Sequence, residues 1–93
     1  MIQLTFIGMK YPCSSCAIIQ NLNLEIIEKV RSKRPEIEYK QIILLNPKEL
    51  YQIEGIEVEK MPIILLNQEQ VSAGNLISSK QLVQWIDTFQ ELD

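Results

Sequence analysis

The chain has no histidine, two cysteines and three glycines among its 93 residues, and aromatic residues make up 6% of it. Without histidine it cannot build a Cys–His catalytic pair or a zinc site of mixed cysteine and histidine ligands. Two cysteines are too few for a disulfide-stapled scaffold. No apolar run approaches the roughly 20 residues of a membrane-spanning helix. No basic segment precedes the first apolar residues, so we expect no signal peptide.

The charge balance excludes a second group of functions. Nine basic and twelve acidic side chains give a net charge of −3, and no basic cluster offers a footprint for nucleic acid or an anionic membrane. We therefore expect neither as a partner. Length and a hydrophobic fraction of 46% predict one domain over residues 1–93. The expected compartment is the cytoplasm, where an isolated cysteine pair is more often catalytic or metal-binding than structural.

Both cysteines lie in one short motif, Cys13-Ser14-Ser15-Cys16. The apolar segment before it, Met1 to Met9, predicts a strand, and Ala17 to Arg34 predicts a helix. A helix N-terminus favours an anion, so a cysteine there ionises more readily and becomes a nucleophile. Residues three apart share a helix face, which brings the two sulfurs within closing distance. We expect a dithiol/disulfide site with Cys13 as nucleophile and Cys16 as the resolving thiol.

The other segments alternate strands with helices. The first helix should bury one apolar face, formed by Ile19, Leu22, Ile26 and Val30. Ile37 to Leu45 predicts a strand, and Asn46-Pro47 begins a short helix over 46–55. Ile63 to Leu66 and Gln70 to Ala73 predict an antiparallel hairpin that turns at 67–69. The last helix begins at Ser78, which caps it. The predicted class is α/β, order βαβαββα, with a four-stranded mixed sheet and helices on both faces.

This order, with Cys13-Ser14-Ser15-Cys16 after the first strand and Met61-Pro62 before the third, resembles the thioredoxin-like fold. The resemblance covers nearly the whole chain and is closest to glutaredoxins and the small glutaredoxin-like thioredoxins. It implies a thiol-disulfide oxidoreductase that carries no cofactor and acts as a monomer. The implied substrates are a disulfide-containing protein or a small-molecule thiol. Glutathione or a reductase would be the electron donor.

Five residues around the cysteines are candidates for substrate binding: Lys10, Tyr11, Met61, Pro62 and Gly74. The resemblance implies a cis peptide before Pro62, which would turn the Met61 backbone toward the sulfurs. Lys10 is a cation that would stabilise a neighbouring thiolate. Gly74 would let a substrate backbone approach closely. We predict no metal ligands.

The sequence departs from the glutaredoxin pattern at several positions. Ser14-Ser15 separates the cysteines where many glutaredoxins have Pro-Tyr, and Lys60-Met61 replaces Thr-Val before the proline. The second glycine of the pair that helps to hold glutathione is Asn75 here. The first strand carries no acidic residue, so the buried carboxylate of thioredoxins has no counterpart in it.

Three alternatives remain open from the sequence. Gly8-Met9 before the cysteines is similar to heavy-metal-associated domains, which would make the chain a copper(I)-binding or trafficking domain with two soft thiolate ligands. A dimer would instead share a metal ion or an iron–sulfur cluster through two cysteines from each chain. A thioredoxin-like adaptor would bind a partner without turnover.

Overall fold

A computed structural model of the protein describes residues 2–46, 48–49, 53, 56 and 60–92. Four strands and two helices occur in these ranges. In chain order they are β1 (Gln3–Met9), α1 (Ser14–Lys33), β2 (Glu38–Leu44), β3 (Ile63–Leu66), β4 (Glu69–Ala73) and α2 (Ser79–Leu92). Neither described helix is long and apolar enough to cross a membrane.

The strands form one mixed sheet in the order β2-β1-β3-β4. β1 pairs in parallel with β2 and antiparallel with β3, and β4 is antiparallel to β3. The predicted parallel pair and antiparallel hairpin are therefore confirmed. The register pairs Ile7 with Ile63, so the carboxyl end of β1 lies beside the start of β3. The segment with the two cysteines leaves the sheet at this end.

One face of the sheet carries both described helices. Side chains alternate between the faces of a strand, and Leu4 and Phe6 of β1 pack on this side. The cluster that joins them to α1 and α2 is fully or almost fully buried and includes Ile27, Val30, Ile64, Leu66, Leu82 and Ile86. Trp85 and Phe89 are partly buried against it, as the apolar stripe of the last helix predicted.

The predicted core face of α1 is partly wrong. Leu22 is 39% exposed, whereas the buried positions of the helix are Gln20, Asn23, Ile27 and Val30. The helix is therefore rotated relative to the apolar stripe drawn from the sequence. Two of the four buried side chains of this helix are amides, whereas we predicted a buried face of aliphatic side chains only.

The opposite face is covered by apolar residues from the segment between β2 and β3. Ile53 and Ile56 pack there against a buried cluster of Ile7, Leu44, Ile63 and Leu65. The predicted short helix begins as expected, because the side-chain oxygen of Asn46 accepts a hydrogen bond from the Lys48 backbone N–H at 3.0 Å. The rest of that prediction, including Pro47 and Gly55, lies outside the described residues.

Local signals fix the hairpin and the last helix. The turn consists of Asn67 and Gln68, both at positive φ (51° and 72°), whereas Glu69, predicted to be in the turn, belongs to β4. Before α2, the Ser78 hydroxyl accepts from the Gln81 N–H at 3.1 Å, and the Gln81 side-chain oxygen accepts from the Ser78 N–H at 3.3 Å. This reciprocal pair is a capping box, and it confirms the predicted helix start.

Candidate active site

Cys13 occupies the N-cap of α1. Its backbone is extended (φ −66°, ψ 168°), and its carbonyl oxygen accepts from the Ala17 N–H at 2.8 Å, the first helical hydrogen bond. The helix begins at Ser14, three residues before the predicted start, so Cys16 lies within the first turn. Cys13 is exposed and Cys16 half-buried, and both are free thiols.

The two thiols have opposite pKa shifts. Hydrogen bonds from the Cys16 side chain and backbone, and then from the Ser15 side chain, lower the pKa of Cys13 to about 7 from 9.0. The Ser15 hydroxyl lies 3.6 Å from the Cys13 sulfur. The pKa of Cys16 is raised, first because its thiol is bonded to Cys13 and then by burial and the Cys13 charge. Of the two thiols, Cys13 is therefore the one that ionises first as the pH rises.

The peptide bond between Met61 and Pro62 is cis, as predicted. Pro62 is buried immediately before β3, at the end of the sheet where β1 leads into the cysteine segment. Its carbonyl oxygen accepts from the Gly74 N–H at 2.8 Å. The structure therefore brings three of the predicted site residues, Met61, Pro62 and Gly74, together at this end.

Gly74 is required by its own geometry. Its φ of +73° is one that side chains disfavour, and a Cβ there would lie 3.0 Å from the Cβ of Lys60. The segments 60–62 and 73–74 thus lie against each other with little space between them. Because Gly74 has no side chain, the Lys60–Met61 backbone can approach the end of β4 this closely.

Lys10 and Tyr11 are both exposed in the segment before Cys13. Tyr11 is 73% exposed, and the Lys10 ammonium lies 5.6 Å from the centre of its ring, a cation–π distance. The groups that lower the pKa of Cys13 are Cys16 and Ser15. Lys10 is not among them, so the expected stabilisation of the thiolate by this cation is not supported.

Two buried amides beneath the cysteines were missed from the sequence. Gln20 donates to the Met9 carbonyl oxygen and accepts from the Met9 N–H, both at 3.0 Å. Asn23 donates to the Asn75 carbonyl oxygen and accepts from the Ile77 N–H, also at 3.0 Å. The sequence signal that could have identified them is their spacing, which places both on one helix face with Cys16 and Ile27.

Comparison of the whole chain with known proteins gives matches among solved structures only. No protein-family model and no curated protein sequence matches it. One matching structure is a malarial protein with a TM-score of 0.62 and 16% identity, over 95% of this chain and 96% of that one. Another is thioredoxin-2, a component of the malaria parasite protein secretion machinery, with a TM-score of 0.63 and 16% identity, over 95% and 82%. The chain has the thioredoxin-like fold. The predicted fold class is thereby confirmed, whereas these matches do not distinguish the glutaredoxins within the superfamily.

An open groove lies along β4 and reaches Gly74, whose N–H bonds to the carbonyl of the cis proline. It has a volume of about 460 Å³ and is lined by Lys60, residues 70–73 of β4, Gly74 and Asn75. Among the four described strands, β4 lies at one edge of the sheet, next to β3.

Within the described ranges, no three or more His, Cys, Asp or Glu side chains come together. A four-ligand zinc site built from these residues would therefore need ligands from a second chain. The copper(I) alternative, which was based on Gly8-Met9, would use the two thiols as its soft ligands.

Proposed function

We propose that the protein is a thiol–disulfide oxidoreductase whose Cys13–Cys16 dithiol reduces or exchanges disulfides. One observation carries this proposal: an exposed thiol at the N-cap of α1 has a pKa lowered to about 7, chiefly through Cys16, whose own pKa is raised. An ionised, accessible sulfur is a nucleophile, and a protonated sulfur beside it is held in reserve. The thioredoxin-like fold, with a cis proline at the same end of the sheet, supports the assignment.

The first step is attack by Cys13. Its thiolate displaces one sulfur of the substrate disulfide, so that a Cys13–substrate disulfide forms and the other substrate sulfur leaves as a thiolate, which takes a proton. The half of the substrate still attached lies at the mouth of the site. We infer that it occupies the space beside Met61 and Gly74 and the groove along β4.

The second step follows from the loss of charge on Cys13. The pKa of Cys16 is raised first by its interaction with the Cys13 sulfur, then by burial, and then by the charge on Cys13. Once Cys13 is in the mixed disulfide, the two effects of Cys13 end, and Cys16 ionises more readily. The Cys16 thiolate then attacks the Cys13 sulfur and releases the reduced substrate. Overall the Cys13 thiolate and the Cys16 thiol give up two electrons and one proton, and a second proton comes from solvent. The substrate disulfide becomes two thiols, and Cys13–Cys16 becomes a disulfide.

Regeneration needs an external reductant. Two glutathione molecules or a dithiol reductase would each supply the two electrons, and we propose a cytoplasmic setting in which such donors are abundant. Asn75 stands where glutaredoxins have the second glycine of their glutathione-holding pair. A comparison of glutathione with a reductase system as donor therefore tests which of the two the site accepts.

The proposal is tested by reducing a chromogenic aromatic disulfide with the protein and with two cysteine variants. Cys13→Ser should lose reduction almost completely, because the nucleophile is gone. Cys16→Ser should still attack but remain attached to the substrate as a mixed disulfide that mass spectrometry detects. Ser14→Ala, which alters the same turn without touching either sulfur, should behave as the wild type. Full activity in Cys13→Ser, or trapping by Cys13→Ser instead of Cys16→Ser, would show that the roles are wrongly assigned.

A further inference from the structure

At the end of β1, a side chain and not a neighbouring strand forms hydrogen bonds with the backbone of Met9. Pairing between β1 and β3 stops at Ile7 and Ile63, and successive backbone N–H groups along a strand point to opposite sides. The Lys10 N–H donates to the Leu44 carbonyl of β2 at 2.9 Å, so the Met9 N–H points to the β3 side, beyond the end of that pairing. The amide of Gln20 bonds to both the N–H and the C=O of Met9.

Gly8 makes room for this contact. A Cβ at position 8 would lie 2.7 Å from the side-chain oxygen of Gln20 and 2.8 Å from its amide carbon, closer than such atoms pack. Gly8 is buried near the end of β1, an inner strand of the sheet, and its φ is not positive. The close approach of Gln20, and not the backbone conformation, therefore accounts for the glycine.

The contact joins the two elements that hold the dithiol. Gln20 lies four residues after Cys16 and seven after Cys13, on the same side of α1. Met9 and Lys10 are bonded on opposite sides of β1, to α1 and to β2. Tyr11 and Pro12 are then the whole connection between the fixed end of the strand and the N-cap of the helix.

We propose that Gln20 is a positioning residue for the dithiol: by bonding to both backbone groups of Met9, it fixes the start of α1 against the end of β1 and so holds the Cys13 and Cys16 sulfurs in reach of each other. This inference rests on the proposed function of the pair. Without the contact, strand end and helix start shift independently, and the extended backbone of Cys13 no longer directs its sulfur to Cys16. If Gln20 only provided hydrogen-bond partners for the strand end, its loss would lower the stability of the protein and leave the alkylation midpoint of Cys13 unchanged.

The test is the pH dependence of Cys13 alkylation by iodoacetamide in the reduced protein, with the modified residue identified by mass spectrometry. Gln20→Met keeps the approximate size of the side chain and removes both hydrogen bonds. We expect its alkylation midpoint to move from about 7 toward 9.0, so that the rate at neutral pH falls about threefold or more. Asn23→Leu is the matched control, because it removes two hydrogen bonds of the same kind from the same helix face but not those to β1. Its midpoint should stay at the wild-type value.

A second variant reaches the contact from the other side. Gly8→Ala keeps the Gln20 amide but displaces it from Met9, so it should shift the midpoint in the same direction even if Gln20→Met does not fold. A folded Gln20→Met or Gly8→Ala protein with the wild-type midpoint would overturn the inference, as would an equal shift in Asn23→Leu. Alkylation does not require turnover. If the alkylation midpoint shifts in these variants but the protein reduces no disulfide, the proposed function is therefore refuted and the positioning role of Gln20 stands.

Discussion

At the scale of single residues, the lowered pKa of Cys13 arises in a chain that has no histidine. The causes of the low pKa of Cys13 all lie within the first turn of α1: the thiol and backbone of Cys16, and Ser15. Burial opposes them. The interaction between the two thiols lowers the pKa of Cys13 and raises that of Cys16, and burial raises the pKa of Cys16 further.

The relative size of these causes gives a prediction. Cys16→Ala removes the largest contribution, so the alkylation midpoint of Cys13 should rise from about 7 toward 9.0. Ser15→Ala removes a smaller one and should shift it less. In each protein the rate should increase with pH up to a plateau, because the thiolate is the reactive form. A larger shift in Ser15→Ala than in Cys16→Ala would contradict the ordering.

The residues at the site differ in how well the sequence predicted them. Cys13, Cys16 and the cis proline carry local signals: the spacing of the pair, and a proline at a known place in the fold. Gln20 and Asn23 carry only the weaker signal of a helix face shared with Cys16 and Ile27, because their hydrogen-bond partners are backbone groups 11 and 52 or more residues away. An amide in a helix resembles a surface residue until the strand end or loop beside it is known.

At the scale of elements, the boundaries depended on whether the chain supplied its own hydrogen-bond partners. The capping box of α2 involves residues three apart and was predicted from the sequence. The start of α1 was misplaced, because Cys13 caps it through its backbone conformation without a side-chain hydrogen bond. The rotation of α1 was also misjudged, since exposed Leu22 and buried Asn23 reverse the usual preference.

The hairpin turn offers a test at this scale. Gln68 has a φ of +72°, which costs a residue with a side chain roughly 1 kcal/mol relative to glycine. Gln68→Gly should therefore raise the free energy of unfolding by about 0.5–1 kcal/mol in a urea titration, since Asn-Gly is the favoured pair for such a turn.

Asn67→Gly is the comparison for that variant. It relieves a similar backbone strain at φ 51°, but it also removes the hydrogen bond in which the Asn67 side-chain oxygen accepts from the Gln3 N–H at 2.9 Å. It should gain less stability than Gln68→Gly, or lose some. If Gln68→Gly destabilised the protein, the turn assignment would be wrong.

At the scale of the whole molecule, the sheet order brings three distant segments to one end. The end of β1, the start of β3 and the end of β4 meet there, joined by the Gly74–Pro62 hydrogen bond. The resemblance to the thioredoxin-like fold implied that Met61 and Pro62 lie near the cysteine segment, whereas the periods of the hydrophobic patterns predicted the strands and helices themselves. Away from the site, Arg34 and Asp87 form a 2.6 Å ion pair between the end of α1 and the middle of α2.

The reduction potential of the Cys13–Cys16 pair tests the central claim most directly. The protein would be equilibrated in thiol/disulfide buffers of known potential, alkylated and weighed by mass spectrometry, with Cys16→Ser as the control that cannot close the disulfide. Because the Cys13 thiolate stabilises the reduced state, we predict one two-electron couple between about −270 and −120 mV, the range of dithiol enzymes. A potential below about −300 mV, as for inert structural disulfides, or no disulfide between these two sulfurs at all, would contradict the account.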